Sequence, residues 1–192
     1  MHIYETLSLA PTGFAMGMVL MLLSLYVLLC PEKFRRQLAA AHAKSSAGTV
    51  LLGIDFLWVA LLLFKADWNA LCMPLFEFEN FRGILLLLCP VIWFIMSSMA
   101  KEQLFARALG FFLLLLAIVP MSAAFLKDPA TRILIPLWWY PVLTVAMFWV
   151  GKPYLFRDWA AWLVQRPAVI SGIAVFNFVY GLAICTCAGL FW

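Results

Sequence analysis

Two polar side chains, those of Asp55 and Asn177, lie deep within apolar stretches of the sequence. Asp55 belongs to LLGIDFLWVALL at 51–62, and Asn177 belongs to AVFNFVYG at 174–181. A carboxylate accepts hydrogen bonds and an amide both donates and accepts them, so the two residues could bind a proton, a cation or a small polar solute. A carboxylate at the centre of a membrane helix costs about 2.5–3.5 kcal/mol on insertion scales. We therefore expect Asp55 to face protein or water rather than lipid.

Asp55 and Asn177 also occupy matching positions in an internal sequence repeat. When the chain is aligned with itself at an offset of 122 residues, segment 31–58 aligns without a gap and Asp55 falls on Asn177. The pattern predicts two related hairpins that run the same way through the membrane, as parallel repeats do in some transporters. Coincidence in an apolar chain is the alternative. The identical positions are Pro31 with Pro153, Phe34 with Phe156, Arg35 with Arg157, Ala39 with Ala161, and Phe56 with Phe178.

The composition is that of a membrane protein. Of the 192 residues, 67% are hydrophobic and 11% are charged, whereas soluble domains are about 45–50% apolar and about 25% charged. The mean hydropathy is +1.03 and the isoelectric point is near 8.9. The basic balance does not indicate nucleic-acid binding, because the Lys and Arg residues are spread over loops between apolar segments, as membrane topology requires.

Six apolar segments are long enough to be transmembrane helices, since a span needs roughly 20 mostly apolar residues. We expect helices because the backbone of a segment in lipid must satisfy its own hydrogen bonds. The predicted fold is therefore all-α: a polytopic membrane protein with a six-transmembrane-helix bundle, in which residues 1–192 form a single integral membrane domain. The spans cover about residues 12–30, 47–64, 83–100, 108–126, 133–151 and 168–191.

The distribution of basic residues predicts the orientation of the chain. Loops 31–46, 101–107 and 152–167 contain nine Lys and Arg residues, and the loops on the other side contain four: Lys65, Arg82, Lys127 and Arg132. The more basic side is expected to be cytoplasmic. This predicts a multi-pass protein of the cell inner (plasma) membrane with both termini outside the cytoplasm.

Two loops on the predicted cytoplasmic side have amphipathic helical patterns, PEKFRRQLAAAHAK at 31–44 and PYLFRDWAAWLVQR at 153–166. Amphipathic helices with Trp on the apolar side lie in the membrane interface. We expect both to contact the lipid bilayer and its anionic headgroups, with docking of a partner protein as the alternative. The predicted apolar face of the second helix is formed by Leu155, Trp159, Trp162 and Leu163. The predicted interface residues are Phe34, Arg35, Phe156 and Arg157.

The sequence contains no recognisable catalytic pattern. Its histidines, His2 and His42, both lie outside the spans, and the metalloprotease, hydrolase and phosphate-loop motifs are missing. We therefore predict no catalytic residue, no metal site and no cofactor. The cysteines on the predicted outer side either form a disulfide through Cys72 or act as small apolar residues; they are Cys72, Cys89, Cys185 and Cys187.

These features leave several functions open. At 1.5 Å per residue, Asp55 and Asn177 lie about 12–14 Å from their helix ends, near the middle of a core of roughly 30 Å. They form either a structural hydrogen bond between two helices or a polar binding site. The leading hypothesis is a transport or ligand-binding protein, permease-like or channel-like, that uses this pair. The alternatives are a non-catalytic scaffold or assembly subunit with partner membrane subunits, and a membrane-embedded lipid-modifying enzyme.

Overall fold

The computed structural model describes residues 7–41, 45–63, 81–99 and 103–192, and every secondary-structure element in these ranges is helical. A 3-10 turn, Ala130–Ile133, precedes the sixth α-helix. The α-helices, in chain order, are α1 Leu9–Leu29, α2 Pro31–Ala41, α3 Ser45–Leu63, α4 Arg82–Met99, α5 Leu104–Ala124, α6 Leu134–Gly151, α7 Tyr154–Val164 and α8 Pro167–Leu190.

Five of these helices are long and apolar enough to cross a membrane: α1, α3, α5, α6 with its preceding turn, and α8. The predicted all-helical fold of membrane type is thus confirmed. The apolar part of α4, Gly83–Ser98, is shorter, about 24 Å at 1.5 Å per residue, against a hydrocarbon core of about 30 Å. The sixth predicted span, 83–100, is therefore not confirmed as a membrane crossing. Segments 64–80 and 100–102, on either side of α4, lie outside the described residues.

The backbones of α1 and α8 approach each other closely. A Cβ atom added to Gly17 would lie 2.8 Å from the carbonyl oxygen of Gly181, and one added to Gly181 would lie 2.8 Å from the carbonyl oxygen of Gly17. A side chain at either position would push the two helices apart. Small residues allow this kind of packing between membrane helices, so the two glycines hold α8 against α1.

Helix α5 lies between α3 and α6 and packs on both. Its contact with α3 is also close, because a Cβ atom added to Gly48 would lie 2.7 Å from the backbone nitrogen of Phe105. Next to this contact, Leu52, Leu104 and Ala108 form a fully buried cluster. The contact fixes the position of α3 along α5 and thereby sets which residues of α3 face α5.

A second buried cluster joins α1, α5 and α6. It lies at the end of the bundle opposite to α2 and α7, where α1 and α6 begin and α5 ends. Its residues come from three separate parts of the chain, so this cluster ties the first hairpin to the middle of the bundle. They are Leu9, Ala117, Ala124, Ile135 and Trp139.

Helix α7 packs into the bundle through Phe156, Ala160 and Leu163, which are buried. The Phe156 ring lies 4.9 Å from the Trp149 ring and 5.8 Å from the Phe105 ring, measured between centroids. Trp159 and Trp162 are 39% and 43% exposed. The predicted apolar face toward the membrane interface, Leu155, Trp159, Trp162 and Leu163, stays a prediction, and Leu163 of this set lies against the bundle.

The internal repeat is not confirmed and stays a prediction. In a repeat that relates α1–α2–α3 to α6–α7–α8, the contact of α1 with α8 would correspond to one between α6 and α3. Instead, α5 packs on both α3 and α6. The environments of the matching phenylalanines also differ, since Phe156 is 2% exposed and Phe34 is only partly buried.

Candidate functional site

Asp55 lies on the face of α3 that packs against α5. Its side chain is only 3% exposed, one helical turn after the buried Leu52. Neither carboxyl oxygen of Asp55 has a hydrogen-bond partner among the described residues. A buried polar group left without a partner costs about 1–3 kcal/mol. Asp55 is therefore a source of instability unless something outside these contacts satisfies it.

The carboxyl group borders a cavity of about 310 Å³ between α3 and α5, which we call the Asp55 cavity. On α3 the lining residues are Leu52, Asp55, Phe56 and Val59. On α5 they are Phe111, Leu114, Leu115 and Ile118. Both sets follow the i, i+3, i+4, i+7 spacing of one helix face, so the cavity runs along two facing stripes. Asp55 supplies the ionisable side chain of this lining, and the other seven side chains are hydrocarbon.

Other buried polar atoms near α3 do not serve Asp55. The indole nitrogen of Trp93 and the Nε atom of Arg107 are themselves buried without a hydrogen-bond partner among the described residues. Trp93 packs beside Gly53, where its Nε1 atom lies 3.4 Å from the position of an added Cβ. Gly53 is two residues before Asp55, so it lies on a different face of α3. Within the described part of the chain, Asp55 thus has no internal counter-charge in hydrogen-bonding contact.

Asn177 lies elsewhere, on α8, and is already hydrogen-bonded. Its Oδ1 atom accepts a hydrogen bond from Trp138 Nε1 at 2.9 Å, and its Nδ2 atom donates to the carbonyl oxygen of Ile173 at 3.0 Å. The direct hydrogen bond between Asp55 and Asn177 that the sequence suggested is therefore not formed. The physical reason is the packing of the helices, because α8 packs on α1 while α3 packs on α5.

Asn177 borders a second cavity of about 470 Å³ between α1, α2, α6, α7 and α8. Asn177 and Trp138 line its inner part, and Phe34 and Trp159 line it near the end that carries α2 and α7. Most of its lining is apolar. The two polar positions of the predicted pair therefore belong to two different cavities rather than to one site.

Each of the four predicted interface residues has a different environment. Arg35 connects α2 to α7, since its Nε atom donates to the carbonyl oxygen of Val164 at 3.1 Å. Phe34 borders the second cavity, and Phe156 is buried in the bundle. Arg157 is exposed at the surface and pairs with Asp158 at 3.1 Å. These positions leave their predicted contact with lipid headgroups untested.

Sequence analysis missed the α5 side of the Asp55 cavity. The signal was present, since Phe111, Leu114, Leu115 and Ile118 have the same spacing as the stripe around Asp55. It could not be recognised because α5 is apolar on all sides, so no polar residue marks the face that turns toward α3. The hydrogen bond between Trp138 and Asn177 was missed for a similar reason, because Trp138 reads as a residue of the aromatic belt at the membrane interface.

The described ranges contain cysteine thiols and no cluster of metal-ligating side chains. No group of three or more His, Cys, Asp or Glu side chains that could hold a metal ion occurs among those residues. Cys30, Cys89, Cys185 and Cys187 are free thiols. Cys72, through which a disulfide was considered, lies outside the described residues.

The fold is that of an all-helical protein of membrane type, with a buried carboxyl group beside an apolar cavity. When the chain is compared with protein-family models, curated proteins and solved structures, it matches none of them. The geometry around Asp55 is therefore the feature of the structure that bears on function.

Proposed function

We propose that the protein is a membrane transport or ligand-binding protein, permease-like or channel-like, in which Asp55 contacts the ligand. The observation that carries this proposal is the pair of buried Asp55 oxygens without a partner among the described residues, next to a cavity of about 310 Å³. Ionisable side chains within membrane helices commonly mark paths for ions, protons or solutes. The ligand is a proton, a cation or a small polar solute.

A purely structural role for Asp55 has weaker support. A polar side chain that stabilises packing within a membrane does so by bonding to another helix, and Asp55 makes no such bond within the described part of the chain. An apolar residue of similar size would fit the surrounding hydrocarbon without the cost of burying a carboxyl group. A bound ligand therefore explains a carboxyl group at this position better than packing does.

The basic residues indicate how the protein is oriented in the inner membrane. The loops at the α2 and α7 end contain nine of the 13 Lys and Arg residues, so this end faces the cytoplasm and both termini face outward from the inner membrane. Helices α2 and α7 then lie along anionic headgroups. A reporter fused to the C-terminus, active on one side of the membrane only, tests this orientation.

Flux measurements in proteoliposomes test the transport role. The wild-type protein, Asp55→Asn and Asp158→Asn are reconstituted at equal density and assayed for proton, Na⁺ and organic-cation flux. Asp55→Asn removes the charge with little change of shape, and we expect it to reduce flux at least about tenfold, which corresponds to about 1.4 kcal/mol. Asp158 is exposed on α7, so Asp158→Asn should leave flux unchanged.

The rival scaffold function makes the opposite prediction. A scaffold or assembly subunit should show no Asp55-dependent flux and should be recovered with a stoichiometric partner after extraction in mild detergent. Equal flux in wild-type protein and Asp55→Asn, with both variants folded, would remove Asp55 from the transport mechanism.

A further inference from the structure

We propose that the Asp55 cavity binds an organic cation, namely an ammonium group with apolar substituents. This inference rests on the proposed ligand-binding role of Asp55 and specifies the chemical class of the ligand. It follows from the lining, in which one carboxyl group is combined with seven hydrocarbon side chains, two of them phenyl rings.

The lining is unsuited to a bare inorganic cation. Ca²⁺ takes 6–8 oxygen ligands, and Mg²⁺ keeps several of its water molecules and an octahedral shell. The described lining includes one buried carboxyl group, that of Asp55, and otherwise carbon atoms. An inorganic ion would therefore either lose most of its ligands or bring its water into contact with hydrocarbon.

A neutral polar solute fits no better. A sugar or a similar molecule carries several hydroxyl groups, and each would leave water on entering the cavity. Only the carboxyl group of Asp55 could replace those hydrogen bonds among the described lining residues. Each hydroxyl group left without a partner is unfavourable, so a solute with many polar groups is excluded by its own desolvation.

An organic cation satisfies each part of the lining. The positive charge of an ammonium group would be attracted by the carboxylate of Asp55, while the apolar substituents would contact residues such as Leu115 and Val59. Phe56 and Phe111 also line the cavity, from α3 and α5, and aromatic faces attract cations. A cavity of about 310 Å³ lies at the lower end of the usual range for ligand pockets, about 300–1,000 Å³. The ligand is therefore small, with one ring or a short chain.

The charges around the cavity are compatible with a cation. None of the described lining residues is basic. Arg107 precedes Phe111 by one turn of α5, and it is not within hydrogen-bonding distance of the Asp55 oxygens. A bound ammonium group would thus meet a negative charge and no positive charge within the cavity itself.

Binding of a matched pair of probes tests this inference. Benzyltrimethylammonium and its uncharged carbon analogue neopentylbenzene have nearly the same shape and differ in charge. Binding of radiolabelled benzyltrimethylammonium to the full chain in nanodiscs is measured for wild-type protein, Asp55→Asn, Phe111→Leu and the surface control Asp158→Asn. Neopentylbenzene and NaCl serve as competitors.

The inference predicts saturable binding of benzyltrimethylammonium to the wild-type protein and to Asp158→Asn. Asp55→Asn should weaken this binding roughly 10- to 100-fold, because the variant loses the attraction between the carboxylate and the positive charge of the probe. Phe111→Leu, which retains Asp55, should weaken it roughly 2- to 30-fold through the loss of one ring. NaCl should compete poorly, and neopentylbenzene should compete less well than unlabelled benzyltrimethylammonium.

Two results would overturn the inference, and they differ in what they imply for the proposed function. Asp55-dependent proton or Na⁺ flux without benzyltrimethylammonium binding would reject the organic cation while leaving the transport role intact. Equal binding of the probe to wild-type protein and Asp55→Asn, together with the absence of Asp55-dependent flux, would reject both.

Discussion

The indole N–H of Trp138 donates a hydrogen bond to Asn177 Oδ1 at 2.9 Å and so joins α6 to α8. One turn further along α8, the Tyr180 hydroxyl donates to the carbonyl oxygen of Leu134 at 2.7 Å. The two bonds attach α8 to α6 beside its close packing on α1. Asn177 thus holds helices together, and its amide is bonded to Trp138 and Ile173 rather than to Asp55.

Loss of the Trp138 donor should weaken the attachment of α8 to α6. We expect a coupling energy of about 0.6–1.7 kcal/mol between Trp138 and Asn177, the range for hydrogen bonds between membrane helices. A double-mutant cycle with Trp138→Phe and Asn177→Ala isolates this energy from the change in ring size. The free energies of unfolding are measured in mixed detergent and SDS micelles.

The control for this cycle is Trp162→Phe combined with Asn177→Ala. Trp162 is 43% exposed on α7, so its coupling to Asn177 should be close to zero. A coupling energy for Trp138 and Asn177 no larger than that of the control would contradict a stabilising bond between α6 and α8.

Asp55 should reduce stability in the absence of ligand. Replacement by Leu removes a buried carboxyl group without a described partner, so the free energy of unfolding should rise by about 1–3 kcal/mol. The same variant should lose Asp55-dependent flux. Asp158→Leu, at an exposed position, should change stability by no more than about 0.5 kcal/mol. A large loss of stability in Asp55→Leu would instead mean that Asp55 has a structural partner.

The length of apolar segments predicted much of the fold. Spans such as 12–30 and 168–191 were recognisable because a helix in lipid needs a long apolar run, and α1 and α8 occupy these regions. The same criterion predicted a sixth span at 83–100, which the structure does not confirm. The face of α7 that packs on the bundle could not be predicted. An interfacial helix has apolar residues that contact lipid and others that contact the bundle, and Phe156 and Trp159 look alike in sequence.

The environment of Asp55 was predicted in part. The burial of Asp55 follows from the cost of exposing a carboxyl group to lipid, and the side chain is indeed buried. Its surroundings could not be predicted, because depth in the membrane does not specify which helix lies opposite. That choice depends on backbone contacts such as the one between Gly48 and Phe105, whose partners lie far apart in sequence.

The close contact at Gly48 should be essential for the Asp55 cavity. In Gly48→Leu the new side chain would collide with the backbone of α5, since even its Cβ atom would lie 2.7 Å from the Phe105 nitrogen. We expect a loss of about 1–3 kcal/mol in unfolding free energy, as for other overpacked cores, together with reduced flux. Gly172→Leu is the matched control, because an added Cβ at Gly172 meets nothing within 4 Å among the described residues. Equal effects of the two substitutions would contradict a special role for Gly48.

Filling the Asp55 cavity should abolish ligand binding while Asp55 stays in place. Leu115 lines the cavity on α5, and in Leu115→Trp the larger side chain would narrow this cavity of about 310 Å³. We expect flux to fall at least about tenfold, which corresponds to about 1.4 kcal/mol. Leu137→Trp, at a position of α6 that is 59% exposed, adds the same side chain on the outer surface and should leave flux unchanged. Because Leu115→Trp retains the carboxyl group, loss of flux in this variant would show that the space beside Asp55 is needed as well as its charge. Normal flux would mean that the ligand reaches Asp55 by a route outside this cavity.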